Sequence, residues 1–467
     1  MESNKWPALG DFVTLQRGKT YKGALVGKPG PVLFGLGSIE PGGGFRASKL
    51  KTYGGDCPEL LTLVPGDMYA SLKGATKDGS MIGSVARVPS TIEKGRLTQD
   101  TVKLKFVDAD EPLRRHIYWI LRTPQCRSYY SNRATGSAQV GLSRDDFLAF
   151  PIPPITDVRK QLVDLFETIE SKIELNRRMN NTLESTAREL FKSWFVDFDP
   201  VIDNALAAGN PIPEPLSARA QTRRDLGTKR KPLPKNIQKL FPDAFAFDDE
   251  MGWTPEGWEV STIESVVSAI IDHRGKTPKK LGGDWQETGY PAISAKNVKR
   301  GRLVRHDTIR FVNQELYENW MKVPLAKGDV ALTSEAPLGE AYYLLTRFDY
   351  VLSQRLFALR ANNVDMTGCF LNQWLTSHRG QAALENRATG TTVVGIRQSE
   401  LQKVELLCPP FEIIEKFSGL ADPQLLQVAR NDEQSHALAK LRDTLLPKLL
   451  SGELRIPDAE KLLAGSL

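Results

Sequence analysis

Two copies of the tetrapeptide Arg-Gly-Lys-Thr stand at residues 17–20 and 274–277, and a lysine directly after a glycine is suited to binding phosphate. A nucleotide-binding P-loop needs a further glycine five residues before that glycine, and those positions hold Val13 and Ile270. We therefore exclude a P-loop nucleoside triphosphatase. Two interpretations stay open: a turn that presents Lys19 and Lys276 to phosphate, or a purely structural glycine turn.

Basic and amide side chains recur around these motifs. The segment Lys296–Arg302 combines lysine, asparagine and arginine, and Arg and Asn are suited to bidentate recognition of guanine and adenine edges. Arg133 and Arg387 each begin the sequence Arg-Ala-Thr-Gly. A solvated surface charge is the alternative for any single residue, and the recurrence favours nucleic-acid binding. The candidate DNA-binding residues are Lys19, Tyr21, Lys22, Lys73, Lys77, Arg133, Ser137, Gln139, Arg274, Lys276, Lys279, Lys296, Asn297, Lys299, Arg302, Arg387, Thr391 and Thr392.

The sequence patterns that could indicate catalysis are weaker than those that indicate DNA binding. Cys408–Phe411 resembles a methyltransferase loop that holds a target amine, but cysteine stands at the accepting position and no glycine-rich loop for a methyl donor is found. Glu170 and Lys172 have a spacing seen in nucleases, yet residues two apart on a helix do not face each other. The four cysteines and five histidines are scattered. We predict no catalytic residue, metal or cofactor in this chain.

The motifs belong to a duplicated domain. Leu-Thr-Gln at 97–99 recurs as Leu-Ser-Gln at 352–354, and Arg-Ala-Thr-Gly at 133–136 recurs unchanged at 387–390, each copy followed by Val-Gly. The offsets of 254 to 257 residues preserve the order of the elements. A period this long indicates two similar, diverged domains with strands, glycine turns and a helix each, the first helix predicted over Pro112–Ser128. Two such domains favour two similar but non-identical contacts.

Each half ends in a proline pair and a long stretch with the apolar spacing of a coiled coil. Two such seams favour burial against each other as an antiparallel pair; the alternative is that each helix packs on its own domain. Asn176 and Asn431 occupy equivalent positions, where a buried polar residue fixes the register. Pro423 is expected to break or kink the second helix. The predicted pairing residues are Ile169, Ile173, Asn176, Leu183, Leu190, Trp194, Val428, Asn431, Leu438, Leu445 and Leu449.

Composition and the positions of the proline-rich segments indicate the domain boundaries. The 467 residues have a net charge of +6, which favours a polyanionic partner only slightly. With no run of apolar residues that spans a bilayer and no signal-peptide core, we expect a cytoplasmic protein. A proline-rich, basic segment indicates a solvated linker, and the alternative is that its basic side chains contact phosphates. We predict a first domain over 1–152, a helix over 153–200, the linker over 201–251, a second domain over 252–408, a helix over 409–456 and a tail over 457–467.

Nearly the whole chain resembles the specificity subunits of type I restriction-modification enzymes. The sequence Pro-Glu-Gly-Trp-Glu at 255–259 is similar to the segment that opens the family's second recognition domain. The stretch from Ala-Thr-Gly at 134–136 to Pro-Ile-Pro-Pro at 151–154 resembles the close of the first. Leu190–Phe198 and Leu441–Leu454 resemble the ends of its two spacer helices. Arg442 and Gln424 depart from an apolar second seam.

The resemblance implies an α+β fold in which two similar mixed α/β target-recognition domains are separated by two long antiparallel coiled-coil helices. It implies a non-catalytic subunit that reads a two-part site in double-stranded DNA. Two methyltransferase subunits and the restriction/translocase subunits would assemble on it, and would hold the S-adenosylmethionine, ATP and Mg. Two other classes stay open: a fused or autonomous nuclease or methyltransferase, and a coiled-coil scaffold with no DNA role.

Overall fold

The structure, a computed structural model, describes residues 6–74, 81–136, 140–227, 232–390 and 393–451. The chain divides into two compact units. Unit 1 takes Met1–Leu175 and Glu433–Leu467, and unit 2 takes Asn176–Asp432. No helix in the described ranges has both the length and the apolarity that a bilayer span requires.

Unit 1 is a mixed α/β body joined by the beginning of one long helix and the end of another. Its strands form a four-stranded sheet in the order β1-β7-β4-β5 and a three-stranded sheet in the order β2-β6-β3. The strands are β1 Val13–Arg17, β2 Val32–Phe34, β3 Thr62–Leu63, β4 Met68–Ser71, β5 Val85–Arg87, β6 Gly95–Leu97 and β7 Thr101–Phe106. The helices are α1 Glu111–Leu121, α2 Pro124–Ser131, α3 Arg144–Leu148 and the long α4 Asp157–Phe195, which continues into unit 2.

The single helix predicted over Pro112–Ser128 is wrong, because two helices occupy that segment. The Thr123 side chain accepts a hydrogen bond from the backbone N–H of Cys126, and Pro124 takes the first helical position of α2. This pairing of an N-cap threonine with a proline that needs no donor is a helix start. The residue before a proline is disfavoured in helical conformation, which ends α1.

Unit 2 repeats this plan with additional elements. Its sheets have the strand orders β11-β19-β16-β17 and β15-β12-β18, with the smaller pairs β8-β9, β10-β20 and β13-β14. The strands are β8 Phe245–Asp248, β9 Gly252–Pro255, β10 Glu259–Thr262, β11 Val267–Asp272, β12 Tyr290–Ile293, β13 Val298–Lys299, β14 Arg302–Leu303, β15 Arg310–Val312, β16 Val330–Thr333, β17 Ala341–Tyr343, β18 Val351–Leu352, β19 Leu356–Ala361 and β20 Glu405–Cys408. The helices are α5 Asp199–Ala208, α6 Ser217–Leu226, α7 Lys235–Gln238, α8 Ile263–Val266, α9 Gln314–Trp320, α10 Gly368–Thr376, α11 His378–Asn386, α12 Gln398–Leu401 and the long α13 Phe411–Ser451, which continues into unit 1.

The two four-stranded sheets have the same topology and register, which confirms the duplicated domain. Met68 of β4 lies opposite Leu104 of β7, and Val330 of β16 lies opposite Leu359 of β19. Both sheets are antiparallel and have the equivalent strand at each place in the order. The predicted α+β class, with two similar mixed domains that alternate along the chain with two long helices, is confirmed.

Each domain docks on a long helix through an acid at an equivalent position. In unit 1, both terminal nitrogens of Arg87 donate to the Glu167 carboxylate at 3.0 and 2.7 Å, and the Trp119 indole donates to it at 2.7 Å. In unit 2, the Tyr343 hydroxyl donates to Asp422 at 2.8 Å. Arg87 and Tyr343 end equivalent edge strands, β5 and β17. In both units, a side chain at the end of the edge strand therefore donates to an acidic residue of a long helix. We call this contact the strand-to-helix latch; its side chains differ between the two units.

In unit 1, α4 and α13 lie antiparallel along a buried apolar seam. Arg159, near the start of α4, donates to the carbonyls of Leu449 and Leu450 near the end of α13 at 3.2 and 2.9 Å. The guanidinium therefore contacts backbone carbonyls in the last described turn of α13. Arg442, the polar interruption in the second seam, donates to Glu170 of α4 at 2.9 Å. The Arg442 interruption of the apolar seam is thus matched by a charge on the facing helix.

In unit 2 the same helices meet through asparagines. The Asn176 amide donates to the carbonyl of Asn431 at 3.3 Å, and the Asn431 amide donates to the side-chain oxygen of Asn180 at 2.8 Å. Asn180 also donates to Asp432 at 2.8 Å. All three asparagines are buried. This polar ladder penalises any shift along the helices, because a shift would leave buried amides unpaired.

Among the predicted pairing residues, Ile169 and Ile173 of α4 share one buried cluster with Leu438, Leu445 and Leu449 of α13. Of the whole predicted set, Leu183 and Leu190 are half-buried, and the others are buried. The buried members are Ile169, Ile173, Asn176, Trp194, Val428, Asn431, Leu438, Leu445 and Leu449. The alternative, packing of each helix on its own domain, holds as well for α4, since Phe166 packs against Trp119 of the first domain at a ring distance of 5.1 Å. The two interpretations are not exclusive.

Two further expectations differ from the structure. The helix α13 continues through Pro423, so the break that was one of the two expected outcomes does not occur. Proline costs a helix about 3 kcal/mol or more, and here the fully buried Phe417 and Ala421 offset that cost by packing. The segment predicted as a solvated linker is folded into α5 and α6. The Arg219 guanidinium donates to both oxygens of the buried Asp199 at 2.7 Å.

Candidate nucleic-acid interface

The three duplicated motifs meet at one end of the four-stranded sheet of unit 1. Lys19, in the Arg-Gly-Lys-Thr motif, bridges Thr98 in the Leu-Thr-Gln motif. Gly141, at the end of the Ala-Thr-Gly…Val-Gly motif, bridges both Thr135 and Lys73, two residues beyond β4. The motifs are thus distant in the chain and adjacent in the fold.

Unit 2 assembles its copies in the same way. Gly395 bridges both Thr389 and Glu335, two residues beyond β16. Residues of the other two motifs line one cavity of about 410 Å³ together with Glu335. Its lining residues are Asp272, Arg274, Gly275, Ser334, Glu335, Gln354 and Arg355. Two copies of one edge therefore exist, one in each domain.

A second cavity of unit 2, of about 470 Å³, shares Gln354 with the first and is strongly basic. Lys276, Lys279, Lys296 and Arg310 line it, against a single carboxylate, Asp284. The Arg310 guanidinium lies 4.0 Å from the centre of the Trp285 ring, which also lines the cavity. Cations beside an aromatic face suit a phosphate backbone with its bases.

The predicted residues of unit 1 lie mostly on the open surface. Lys19, Lys22 and Arg133 are exposed, and Arg133 lies 3.6 Å above the Tyr129 ring. The Tyr21 ring contacts Tyr53 edge-on at 5.9 Å and is partly exposed. Lys73 forms an ion pair with Asp100 at 2.8 Å. The predictions for Lys77, Ser137 and Gln139 concern residues outside the described ranges.

In unit 2, Lys279, Lys296 and Lys299 are exposed. Arg274 donates to both oxygens of Asp272 at 2.9 and 2.7 Å and lies over the Phe357 ring. Burial alone would raise the pKa of Asp272, but these hydrogen bonds lower it. Thr391 and Thr392 fall outside the described ranges.

His273 and Arg387 complete this edge of unit 2. Burial, with the charge of nearby Lys276, lowers the pKa of His273. Arg387 is held loosely, with Glu405 at 3.6 Å and Glu400 at 3.9 Å.

Comparison with known proteins finds similarity to one family. A family model described as type I restriction modification DNA specificity domain matches residues 255–420. The chain is 23% identical over 441 residues to the type I restriction enzyme MjaIX specificity subunit of Methanocaldococcus jannaschii, which covers 89% of this chain and 91% of that protein. It is 25% identical over 420 residues to the HindI specificity subunit of Haemophilus influenzae, covering 83% and 89%.

A crystal structure has the same fold. The type I restriction-modification system S subunit from M. genitalium matches 96% of this chain and 97% of its own, with a TM-score of 0.55 and 12% identity. The chain is therefore similar over most of its length to specificity subunits of type I restriction enzymes, and it shares the fold of one S subunit.

Three of the predicted DNA-binding residues require correction. Asn297 is 1% exposed; its oxygen accepts from Ser294, and its amide donates to Thr308 at 3.1 Å. A side chain whose polar atoms are all engaged in a loop has none left for a base. Lys276 donates to the carbonyl of Trp320 at 2.9 Å, which holds its charge at the cavity wall. We remove Asn297 from the proposed contacts and treat Lys276 as structural.

The third correction is Arg302. Its guanidinium forms ion pairs with Glu184 of α4 at 2.9 Å and with Asp432 of α13. Burial raises the pKa of both carboxyl groups, which the Arg302 charge only partly opposes. Arg302 therefore links the second mixed domain to both long helices and helps to position that domain. Its guanidinium is neutralised by the two carboxylates and is not available for a DNA phosphate or base.

Several residues of these two cavities were not predicted from the sequence. Arg310 and Trp285 lie in no motif, and only the folded sheet brings them to the basic cavity. Glu335 and Arg355 also lie outside the candidate set, although Gln354 belongs to a repeated tripeptide that marked this place. In the described part of the chain, no three His, Cys, Asp or Glu side chains cluster closely enough to hold a metal ion.

Proposed function

We propose that this chain is the DNA-recognition subunit of a type I restriction-modification enzyme, with each mixed domain contacting one part of a two-part site in double-stranded DNA. The observation that carries the proposal is the twofold construction of one edge, in which diverged copies of the same motifs meet at the end of the same sheet. Equivalent surfaces with different side chains suit contacts with two different sequences.

We propose that the paired helices carry the partner subunits, namely two methyltransferase subunits and the restriction/translocase subunits. S-adenosylmethionine, ATP and Mg would then be bound by those partners and not by this chain. The support is the similarity to specificity subunits, together with two helices of 39 and 41 residues that contribute to both units. On this proposal the chain recognises DNA and performs no chemistry. Cleavage or methylation of DNA by the purified chain alone would instead favour a fused or autonomous enzyme.

The salt dependence of DNA binding tests the recognition role. Each phosphate contact made by a lysine contributes about one unit to the slope of log affinity against log salt. We therefore expect the combined variant Lys279→Ala, Lys296→Ala and Lys299→Ala to lower that slope by up to about three units. The measurement is duplex binding by the complex with its methyltransferase, at several salt concentrations.

A matched variant controls for the loss of three positive charges. Lys235, Lys239 and Lys403 are exposed in unit 2 but lie on or beside other elements, so their replacement by alanine should leave the slope nearly unchanged. Equal slopes for the two triple variants would contradict the proposed interface. Absence of any DNA binding by the wild-type complex would favour a scaffold with no DNA role.

A further inference from the structure

Both domains hold an ion pair at the same place, and its charges are reversed. In unit 1, Lys73 lies two residues beyond the end of β4 and Asp100 lies directly before β7. The register pairs Ser71 with Thr101 in this sheet, and Thr333 with Leu356 in the sheet of unit 2. The equivalents of Lys73 and Asp100 are therefore Glu335 and Arg355.

The two pairs have the same geometry. Lys73 Nζ lies 2.8 Å from Asp100 Oδ1, and Arg355 Nε lies 2.8 Å from Glu335 Oε1. The cation follows the inner strand β4 in unit 1, whereas in unit 2 the carboxylate holds that position. The side chains are 32–51% exposed, and exposed pairs of this kind contribute about 0–1 kcal/mol to stability. So small a contribution to stability does not explain why an ion pair occurs at this position in both domains.

Their location is the edge where the repeated motifs meet. Lys73 bridges Gly141, and Glu335 bridges Gly395, the equivalent glycine of the second copy. Glu335 and Arg355 also line the cavity of about 410 Å³ beside Gln354. The backbone contacts around the ion pair are thus the same in both domains, whereas the positions of the cation and the carboxylate are exchanged.

We propose that this pair is a specificity-determining element in each domain. The proposal rests on the proposed function and adds the residues that distinguish one half-site from the other. In the major groove, guanine presents two acceptors that a lysine or arginine contacts, and cytosine presents an amino donor that a carboxylate accepts. An adjacent cation and carboxylate therefore match one G·C pair. Reversed charges in the same frame match that pair with its strands exchanged.

Selection from a randomised duplex pool tests this inference, with the specificity subunit in complex with its methyltransferase. One variant combines Lys73→Glu with Asp100→Arg, and the other combines Glu335→Arg with Arg355→Glu. Each keeps an ion pair and the net charge of its domain. We expect each variant to reverse the preference at one base pair by about tenfold or more, in one half-site only. The two variants should alter different half-sites.

The outcomes separate this inference from the proposed function. A wild-type complex that selects no two-part sequence would contradict both. A wild-type motif that both variants retain unchanged overturns the inference alone, as does a variant that alters both half-sites. If one variant fails to fold, as judged by its thermal transition, the other still decides, because it resides in the other unit.

Discussion

Leu445→Ala is expected to lower the free energy of unfolding of unit 1 by about 2–5 kcal/mol, the range for a fully buried leucine. Leu445 is 0% exposed, and it lies in one buried cluster with Leu162 and Ile169 of the facing helix. Truncation removes apolar area from the seam and leaves a cavity between two helices whose backbones cannot easily approach. Chemical denaturation, followed by hydrogen exchange of residues 157–175 and 433–451, measures the effect.

Leu175 provides the matched control, since it is also a leucine of unit 1 on a long helix but is 49% exposed. Leu175→Ala should change the free energy of unfolding by no more than about 0.5 kcal/mol. Equal effects of the two substitutions would mean that the seam does not stabilise unit 1. The antiparallel pairing would then be wrong.

Glu167→Ala is expected to cost unit 1 about 2–4 kcal/mol, slightly less than a fully buried pair because Arg87 and Glu167 are about one-fifth exposed. The substitution leaves the Arg87 guanidinium and the Trp119 indole without their acceptor. Unpaired donors in a largely buried place are more costly than a lost surface contact. A double-mutant cycle with Arg87→Ala measures the coupling between the two side chains.

Asp164 is the control for this latch. It also pairs from α4 to the first domain, with Arg115 at 2.6 Å, but its side chain is 51% exposed. Asp164→Ala should therefore cost no more than about 1 kcal/mol. If Glu167→Ala costs no more than Asp164→Ala, the latch does not hold the domain on the helix. Asp422→Ala in unit 2 tests the same position through Tyr343.

The duplicated plan was predictable because its signals are local and repeated. Apolar residues at coiled-coil spacing predict a seam wherever they occur, and Asn176 and Asn431 marked its polar centre. Motifs that recur in order predict equivalent domains without any knowledge of the fold. Both inferences require only chain order and helical geometry.

The errors arise where tertiary contacts outweigh local preference. Pro423 stays within α13 because the residues around it are packed, and the basic linker folds because Arg219 finds Asp199. Sequence composition alone gives no information on either partner. Asn297 belongs to a residue type that reads adenine, yet its neighbours in the loop use its amide completely. Residue type predicts what a side chain can bind, but not whether it is free.

The reversed ion pairs were hidden for a related reason. The repeated tripeptides give an offset of 255 residues for Asp100 and Arg355, but Lys73 and Glu335 are 262 apart. Only the strand register across β4 and β16 makes them equivalent. Likewise, Arg17 lies opposite Val102 and Asp272 lies opposite Phe357, so two extra residues precede the second glycine motif.

The most direct test of the account is a map of methylated adenines in DNA from cells that carry this chain with its methyltransferase. Two diverged copies of one recognition edge predict an asymmetric motif in two parts, separated by a gap of fixed length. A continuous palindrome, or methylation independent of this chain, would contradict the claim that its two domains read two different stretches of DNA.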